Sequence, residues 1–113
     1  MKNGYICLAE GANMPSTSEA IKIFQDNKIS YGPGKAANAG GMATSGLEMS
    51  QSSMRFLCTR EEVDNLRLQI MNSIHKNCYD TAEAYGKKGY YVAGVNIAGF
   101  TKVAYVTLAY GVV

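Results

Sequence analysis

The chain has 113 residues, of which 47% are hydrophobic and 18% are charged, so it has room for one domain with a modest core and excludes a complete two-domain enzyme. Its formal charge is +2 and its basic residues are scattered, so we expect no nucleic-acid partner. No segment suggests a membrane-spanning helix or a signal peptide, so we expect a cytoplasmic protein with no membrane partner.

The cysteine and histidine content argues against a disulfide framework and a metal site. Cys7, Cys58 and Cys78 form an odd set without Cys-x-x-Cys spacing, which favours reduced thiols that serve as small apolar residues. His75 is the single histidine and has no neighbouring pattern of metal ligands. We interpret it as a surface or boundary residue of a helix, and we predict no metal site.

The N-terminal third of the chain predicts a strand, a helix and a second strand. The short apolar run at residues 5–9 suits a buried strand of a parallel sheet, which needs neighbouring strands. Ser16 and Glu19 have the spacing of a capping box, which predicts a helix over about residues 17–27. A second short strand is expected around residues 28–31.

The glycine-rich stretch at residues 32–41 predicts a loop that enters a helix. Its small residues allow either close approach to a ligand or tight packing of a helix. It is not a Walker loop for phosphate, because Lys35 is followed by Ala36 instead of serine or threonine. Both the ligand interpretation and the packing interpretation therefore stay open on the residues alone.

The C-terminal half predicts two helices. Thr59 and Glu62 repeat the capping-box spacing and open a long helix that stops at Gly86, and Asn96 is expected to cap a last helix. The predicted fold class is therefore α/β, with about two parallel strands followed by a mostly helical region. Apolar residues at helical spacing form a predicted buried stripe on each helix: Val63, Leu66, Ile70, Ile74, Cys78 and Ala82 on the first, and Ile97, Phe100, Ala104 and Leu108 on the second.

Several sequence runs resemble one known family. The runs EGANMPSTSEA at residues 10–20 and YGPGKAANAGGMATSGLEMSQSS at residues 31–53 closely resemble glutamate dehydrogenases of the hexameric, mostly NADP-linked microbial type. The runs TREEVDNLRLQIMNSIH at residues 59–75 and YVAGVNIAGFTKVA at residues 91–104 keep the order and spacing of that family's C-terminal end. The resemblance covers nearly the whole chain.

The resemblance implies both an architecture and a reaction. Residues 1–55 would form the C-terminal part of a Rossmann-type cofactor domain, and residues 56–113 would form helices that return towards the substrate domain. The implied reaction is reversible oxidative deamination of L-glutamate to 2-oxoglutarate and ammonia with NADP, with NAD not excluded. The implied assembly of the full-length enzyme is a hexamer.

The resemblance also implies four site residues. Asn13 and Asn38 match positions near the nicotinamide end of the cofactor, where an amide side chain offers both a donor and an acceptor. Ser45 matches a serine that contacts the distal carboxylate of glutamate. Met42 occupies a position beside the substrate's carbon chain that usually holds valine, so the longer side chain puts the size of the pocket in question.

Parts of the family's machinery have no counterpart in these residues. The resemblance places the glycine-rich pyrophosphate loop, the catalytic lysines and the catalytic aspartate outside this segment. We therefore assign no catalytic residue and expect the isolated chain to be inactive, because no acid–base group is present to activate water or the carbonyl carbon. The alternative interpretation is a stand-alone, truncated protein without catalytic activity, or a fragment that binds a partner and has no dehydrogenase activity.

Overall fold

A strand, helix and strand unit opens the computed structural model, which describes residues 3–111. The strands β1 (Cys7–Ala9) and β2 (Ser30–Gly32) pair in parallel, with Leu8 opposite Tyr31. The helix α1 (Ser18–Asp26) connects them. The predicted order of strand, helix and strand is confirmed. The helix is the crossover connection that two parallel neighbouring strands need.

The prediction of a buried first strand is wrong within the described residues. Tyr5 and Ile6 lie ahead of β1 and are 66% and 84% exposed. In β1 itself, Cys7 and Ala9 are exposed and Leu8 is half-buried. The physical reason is that β2 is the only strand paired with β1 among residues 3–111, so a short edge strand gains little cover from one neighbour.

The start of α1 differs by one residue from the prediction. Thr17, not Ser16, is the N-cap, and its Oγ1 accepts a hydrogen bond from the backbone N–H of Ala20 at 3.3 Å. The capping box predicted from Ser16 and Glu19 is therefore wrong. Ser16 instead lies beside the carboxylate of Glu10, a tertiary contact that the local spacing does not reveal.

The glycine-rich stretch forms a helix, a one-residue joint and a longer helix. The helix α2 (Gly34–Ala37) follows β2, and α3 (Ala39–Met54) follows α2. Asn38 joins the two helices as the C-cap of one and the N-cap of the other. Arg55 then ends α3 with a left-handed backbone at φ 52°.

The long helix of the C-terminal half is confirmed. The helix α4 (Arg60–Ala84) begins with the full capping box: the backbone N–H of Glu62 donates to Thr59 Oγ1 at 3.3 Å, and the backbone N–H of Thr59 donates to Glu62 Oε2 at 2.7 Å. Gly86 stands beyond its end with φ 68°, which a glycine adopts without strain. Of the predicted stripe, Cys78 and Ala82 are buried, whereas Leu66 is exposed.

The last helix departs from the prediction at its start and at its buried face. The helix α5 spans Tyr91–Tyr110, so Asn96 lies inside it and not at its cap; its Oδ1 accepts a hydrogen bond from Lys35 Nζ. Phe100 and Leu108, predicted to be buried, are 74% and 79% exposed. Gly94 is the buried residue of α5, because α5 approaches α4 closely at this glycine.

The composition of α5 also corrects an expectation about membrane segments. This helix is 20 residues long, and an 18-residue window within it has a mean hydropathy of 1.3, which suffices in length and composition for a membrane crossing. The expectation that no segment has the length and apolar composition of a membrane-spanning helix is therefore wrong for α5. The same criterion is met by core helices of soluble proteins, so the finding describes an apolar helix whose outer face is exposed.

Candidate cofactor and substrate site

An asparagine pair lies beyond the carboxyl ends of the two strands. Asn13 belongs to the loop after β1, and Asn38 lies at the joint of the two helices that follow β2. Because β1 and β2 are parallel, both segments leave the sheet at the same edge, where α/β proteins bind their ligands. The Nδ2 atom of Asn38 donates to Asn13 Oδ1 at 3.1 Å. The structure therefore brings the two predicted cofactor residues into direct contact.

The pair keeps hydrogen-bonding capacity for a ligand. Their mutual bond uses one of the two N–H donors of Asn38 and one lone pair of Asn13. Asn13 is exposed and Asn38 is half-buried, so the remaining amide groups can be reached from solvent. A group that both donates and accepts, such as a primary carboxamide, matches this arrangement.

The two predicted substrate residues follow Asn38 along one face of α3. Positions 38, 42 and 45 are spaced by four and three residues, which places them on one side of a helix. The rise of a helix puts Ser45 about 10 Å from Asn38 along the axis. Met42 is 77% exposed. The structure aligns these residues with the asparagine pair but does not bring them into contact with it.

The hydroxyl of Ser45 is held by a weak local bond. Its Oγ donates to the backbone carbonyl of Gly41 at 3.3 Å, a bond of the kind that serine makes to the preceding turn of a helix. Ser45 is exposed, and rotation about one side-chain bond redirects the hydroxyl proton outwards. A carboxylate placed beside α3 could therefore receive that proton in a stronger, charge-assisted bond.

Glu10 forms a buried carboxylate at the base of the Asn13 loop. It is 5% exposed, and its Oε2 accepts a hydrogen bond from the backbone N–H of Gly34 at 3.0 Å. Burial raises the pKa of Glu10, but the hydroxyls of Ser16 and Tyr31 and the backbone amides of Gly34 and Ser16 outweigh it and lower the pKa overall. Glu10 is therefore ionised at neutral pH.

The carboxylate of Glu10 also changes the pKa of Tyr31 in β2. Burial, together with the hydrogen bond and the charge of Glu10, raises the pKa of Tyr31 to about 12. The sequence interpretation missed both residues. The available signal was a carboxylate directly after an apolar strand, since a charge in that place is rarely buried without partners.

A second polar cluster of the described residues lies on α4 and α5. His75 Nε2 lies 3.0 Å from the hydroxyl of Tyr91 in an aromatic cluster with Tyr79. Burial raises the pKa of the Cys78 thiol, which keeps it protonated. Within residues 3–111, no three His, Cys, Asp or Glu side chains are placed to hold a metal ion.

An apolar cavity of about 280 Å³ separates the sheet from α4. Its walls carry Cys7 and Ala9 of β1, Met71, Ile74 and Cys78 of α4, and several residues of the segment after β2. Polar groups that converge on one point are what orient a ligand in such a cavity, and this lining is mainly apolar. The asparagine pair therefore remains the better candidate site.

A parallel strand pair with an amide pair at its carboxyl edge, followed by long helices, is consistent with the end of a Rossmann-type domain and the helical region behind it. This architecture belongs to the α/β class, with two parallel strands followed by a mostly helical region. The chain belongs to the Glutamate/Leucine/Phenylalanine/Valine dehydrogenase family, whose model matches residues 1–111. The expected family and fold class are thereby confirmed.

Individual relatives agree with this assignment. The chain is 56% identical to the NAD(P)-specific glutamate dehydrogenase of Xylanibacter ruminicola, over 97% of this chain and 25% of that protein. It is 53% identical to the NADP-specific glutamate dehydrogenase of Haemophilus influenzae, over 99% and 25%. An NAD-specific glutamate dehydrogenase of Porphyromonas gingivalis is 49% identical, over 98% and 25%.

The fold is also similar to that of solved glutamate dehydrogenases. The crystal structure of the Plasmodium falciparum enzyme superposes with a TM-score of 0.92 at 51% identity, over 99% of this chain and 24% of that chain. The chain therefore spans about a quarter of the length of the relatives it matches.

Proposed function

We propose that this chain forms one wall of the nicotinamide and glutamate site of an NADP-linked glutamate dehydrogenase. The observation that carries the proposal is the bond between Asn38 Nδ2 and Asn13 Oδ1 at the carboxyl edge of the strands. Two adjacent amide side chains at this edge of the sheet support a role at the nicotinamide end of a dinucleotide, since ligands of α/β sheets bind beyond the carboxyl ends of the strands. The name of the Haemophilus influenzae relative supports NADP, and that of the Porphyromonas gingivalis relative keeps NAD possible.

The proposed role of the asparagine pair is to bind and orient. When bound, the oxidised nicotinamide ring accepts a hydride from Cα of L-glutamate. The unused donors and acceptors of Asn13 and Asn38 fit the ring's carboxamide, which needs both kinds of partner. Fixing the carboxamide sets which face of the ring meets the substrate, and orientation of this kind lowers the barrier by reducing the entropy lost in the reaction step.

The proposed role of α3 is to hold glutamate beside the ring. Ser45 lies about 10 Å beyond Asn38 along the helix, so it can contact the distal carboxylate while Cα stays near the nicotinamide. Met42 lies between them on the same face and would contact the aliphatic part of the substrate. Its exposed thioether is longer than valine and flexible, so it can adjust to the carbon chain.

The proposal divides the chain at Arg55, where α3 ends. Residues 1–55 carry the four proposed site residues as the end of the cofactor domain. Residues 56–113 carry α4 and α5 as the region that returns towards the substrate domain. The proposed whole protein is a hexamer, and the rest of its chain supplies the acid–base groups and the pyrophosphate loop that these residues lack.

The test uses a full-length graft, in which this chain replaces the matching quarter of the Haemophilus influenzae enzyme. The unaltered graft should reduce NADP⁺ in the presence of glutamate. Asn38→Ala should raise KM for NADP⁺, and Ser45→Ala should lower kcat/KM for glutamate. The loss of a hydrogen bond to a charged carboxylate costs about 1.5–3 kcal/mol, which corresponds to roughly ten- to a hundredfold for Ser45→Ala.

Two exposed residues provide matched controls, Asn65 of α4 and Ser53 of α3. Their replacement by alanine should leave both constants within about twofold of the unaltered graft, since surface substitutions are usually within ±0.5 kcal/mol. The assignment of Ser45 would be wrong if Ser45→Ala weakened NADP⁺ binding and left the dependence on glutamate intact.

A further inference from the structure

One hydrogen bond links the two segments that carry the asparagine pair. Glu10 lies three residues before Asn13, and Gly34 lies four residues before Asn38. The bond from the backbone N–H of Gly34 to Glu10 Oε2, at 3.0 Å, therefore joins the base of one segment to the base of the other. This bond and the bond between Asn38 and Asn13 therefore join the same two segments.

The backbone of Glu10 is itself fixed by the sheet. Its N–H donates to the carbonyl of Gly32 at 3.0 Å, which extends the pairing of β1 and β2 by one bond. The carboxylate is thus anchored to β2 through the main chain and to the start of α2 through the side chain. A side chain held at both ends keeps its geometry without a large entropic cost during binding.

The close approach of the two segments depends on this arrangement. A Cβ atom at Gly34 would lie 2.4 Å from the carbonyl oxygen of Ala12 and 3.2 Å from Glu10 Oε2. The Asn13 loop therefore lies directly against the first residue of α2, with the carboxylate beside the contact. This contact is tightly packed, and the Glu10 carboxylate adjoins it.

The second oxygen of the Glu10 carboxylate makes the burial of this side chain energetically unfavourable. Ser16 and Tyr31 lie close enough to lower the pKa of Glu10, but among residues 3–111 the buried Oε1 atom has no hydrogen bond of ordinary geometry. A buried carboxylate oxygen without a partner is unfavourable, so its presence in a fold needs an explanation. Glu10 is also the buried charged residue of the described chain, which singles it out from the exposed acidic residues.

We propose that Glu10 is a positioning residue for the cofactor site: its carboxylate holds the Asn13 loop against Gly34, so that Asn13 and Asn38 face the ligand at a fixed separation. This inference rests on the proposed function, because it assigns the asparagine pair to the nicotinamide carboxamide. It adds a residue that does not itself touch the cofactor. In this proposal the length of the Glu10 side chain, and not its charge, determines the position of the Asn13 loop.

Reach and charge are separated by two substitutions in the full-length graft. Glu10→Gln keeps the length of the side chain and an acceptor oxygen for Gly34, but removes the charge. Glu10→Asp keeps the charge but shortens the side chain by one methylene group, so it withdraws the acceptor. Glu61→Ala, at an exposed position in the first turn of α4, is the control for loss of an acidic residue.

The readouts are the Kd for NADPH, KM and kcat for glutamate, and the thermal midpoint. We expect Glu10→Asp to raise the Kd about tenfold, as the loss of one buried hydrogen bond implies, and Glu10→Gln to stay within about threefold. KM for glutamate should change less than the Kd for NADPH in both variants. Glu61→Ala should match the unaltered graft.

Several results would overturn the proposal. If Glu10→Gln weakened NADPH binding and Glu10→Asp did not, the charge would matter and not the reach. If both variants lowered the thermal midpoint but kept the Kd, Glu10 would be a structural residue only. A Glu10→Asp variant that fails to fold, beside a folded Glu10→Gln variant with an unaltered Kd, would also indicate a structural role.

Different results would contradict the proposed function on which this inference rests. An unaltered graft that folds but binds no NADPH, or an Asn38→Ala variant with normal NADPH affinity, would contradict the assignment of the asparagine pair itself. A graft that binds NADPH, depends on Asn38 and is indifferent to both substitutions at position 10 would contradict only the positioning role.

Discussion

The close contact between α4 and α5 predicts opposite effects of the same substitution at two glycines of α5. A Cβ atom at Gly94 would lie 2.1 Å from the carbonyl oxygen of Cys78 and 3.1 Å from Ala82 Cβ, whereas a Cβ atom at Gly99 meets nothing within 4 Å among the described residues. Gly94→Ala must therefore push the two helices apart. Gly99→Ala adds a methyl group to open space.

The structure sets the size of the difference. Relieving the contact to an ordinary 3.4 Å requires a movement of about 1.3 Å against backbone atoms, and overpacking of this kind costs about 1–3 kcal/mol. Alanine is a better helix former than glycine by about 1 kcal/mol, a gain that both variants share. Gly99→Ala should therefore be more stable than Gly94→Ala by about 1–3 kcal/mol, with Gly99→Ala at or above the unaltered chain.

Thermal unfolding followed by circular dichroism measures this difference on the 113-residue chain. A free-energy difference of 1–3 kcal/mol corresponds to midpoints that differ on the order of 4–12 °C for a chain of this size. Urea unfolding provides the independent value, since its midpoint changes with stability alone when the slope is constant. Equal midpoints for the two variants would show that α5 does not approach α4 at Gly94, and the helical packing described above would be wrong.

Two further predictions concern the ionisation of Tyr31 and the activity of the chain alone. Because the pKa of Tyr31 is raised from 10.0 to about 12 in the folded chain, its contribution to stability, on the order of 2 kcal/mol, is present below about pH 10 and is lost as the pH rises towards 12. An ultraviolet titration of tyrosinate should show a late step that Tyr31→Phe abolishes; a titration that Tyr31→Phe leaves unchanged in shape would contradict the burial of this ring beside Glu10. The isolated chain should show no glutamate-dependent reduction of NADP⁺ above a control without protein, and clear turnover in a preparation free of host dehydrogenase would refute that expectation.

Local sequence signals predicted those features of the fold that depend on neighbouring residues. The capping box of Thr59 and Glu62 is found where it was expected, because both of its bonds lie within one turn. The apparent box at Ser16 and Glu19 failed because Ser16 lies beside Glu10, which comes from another segment. Local spacing is thus reliable when no distant group competes for the same side chain.

The face of α5 could not be predicted for a different reason. The helix is apolar along most of its length, so a stripe at helical spacing can be drawn on more than one side. The residue that decides the orientation is Gly94, whose missing side chain allows the backbone of α4 to come close. A glycine has no apolar side chain and so does not contribute to the periodic pattern. The pattern therefore predicted that Phe100 is buried.

The candidate site was predictable in part. The resemblance identified Asn13 and Asn38, and the structure shows their contact at 3.1 Å. The roles of these two residues and of Ser45 and Met42 stay predictions. Glu10 was missed because its importance comes from a bond to a backbone N–H 24 residues away, and no side-chain pattern along the chain records such a bond.

The most direct test of the account is a crystal structure of the full-length graft with NADP⁺ and L-glutamate bound. The measured quantity is the distance from the nicotinamide carboxamide to the side-chain amides of Asn13 and Asn38. We predict that at least one of these distances is about 3 Å, the length of a hydrogen bond, and that the distal carboxylate of glutamate lies at Ser45. A bound nicotinamide that contacts neither asparagine, or a glutamate bound away from α3, would contradict the assignment of this chain as the wall of the site.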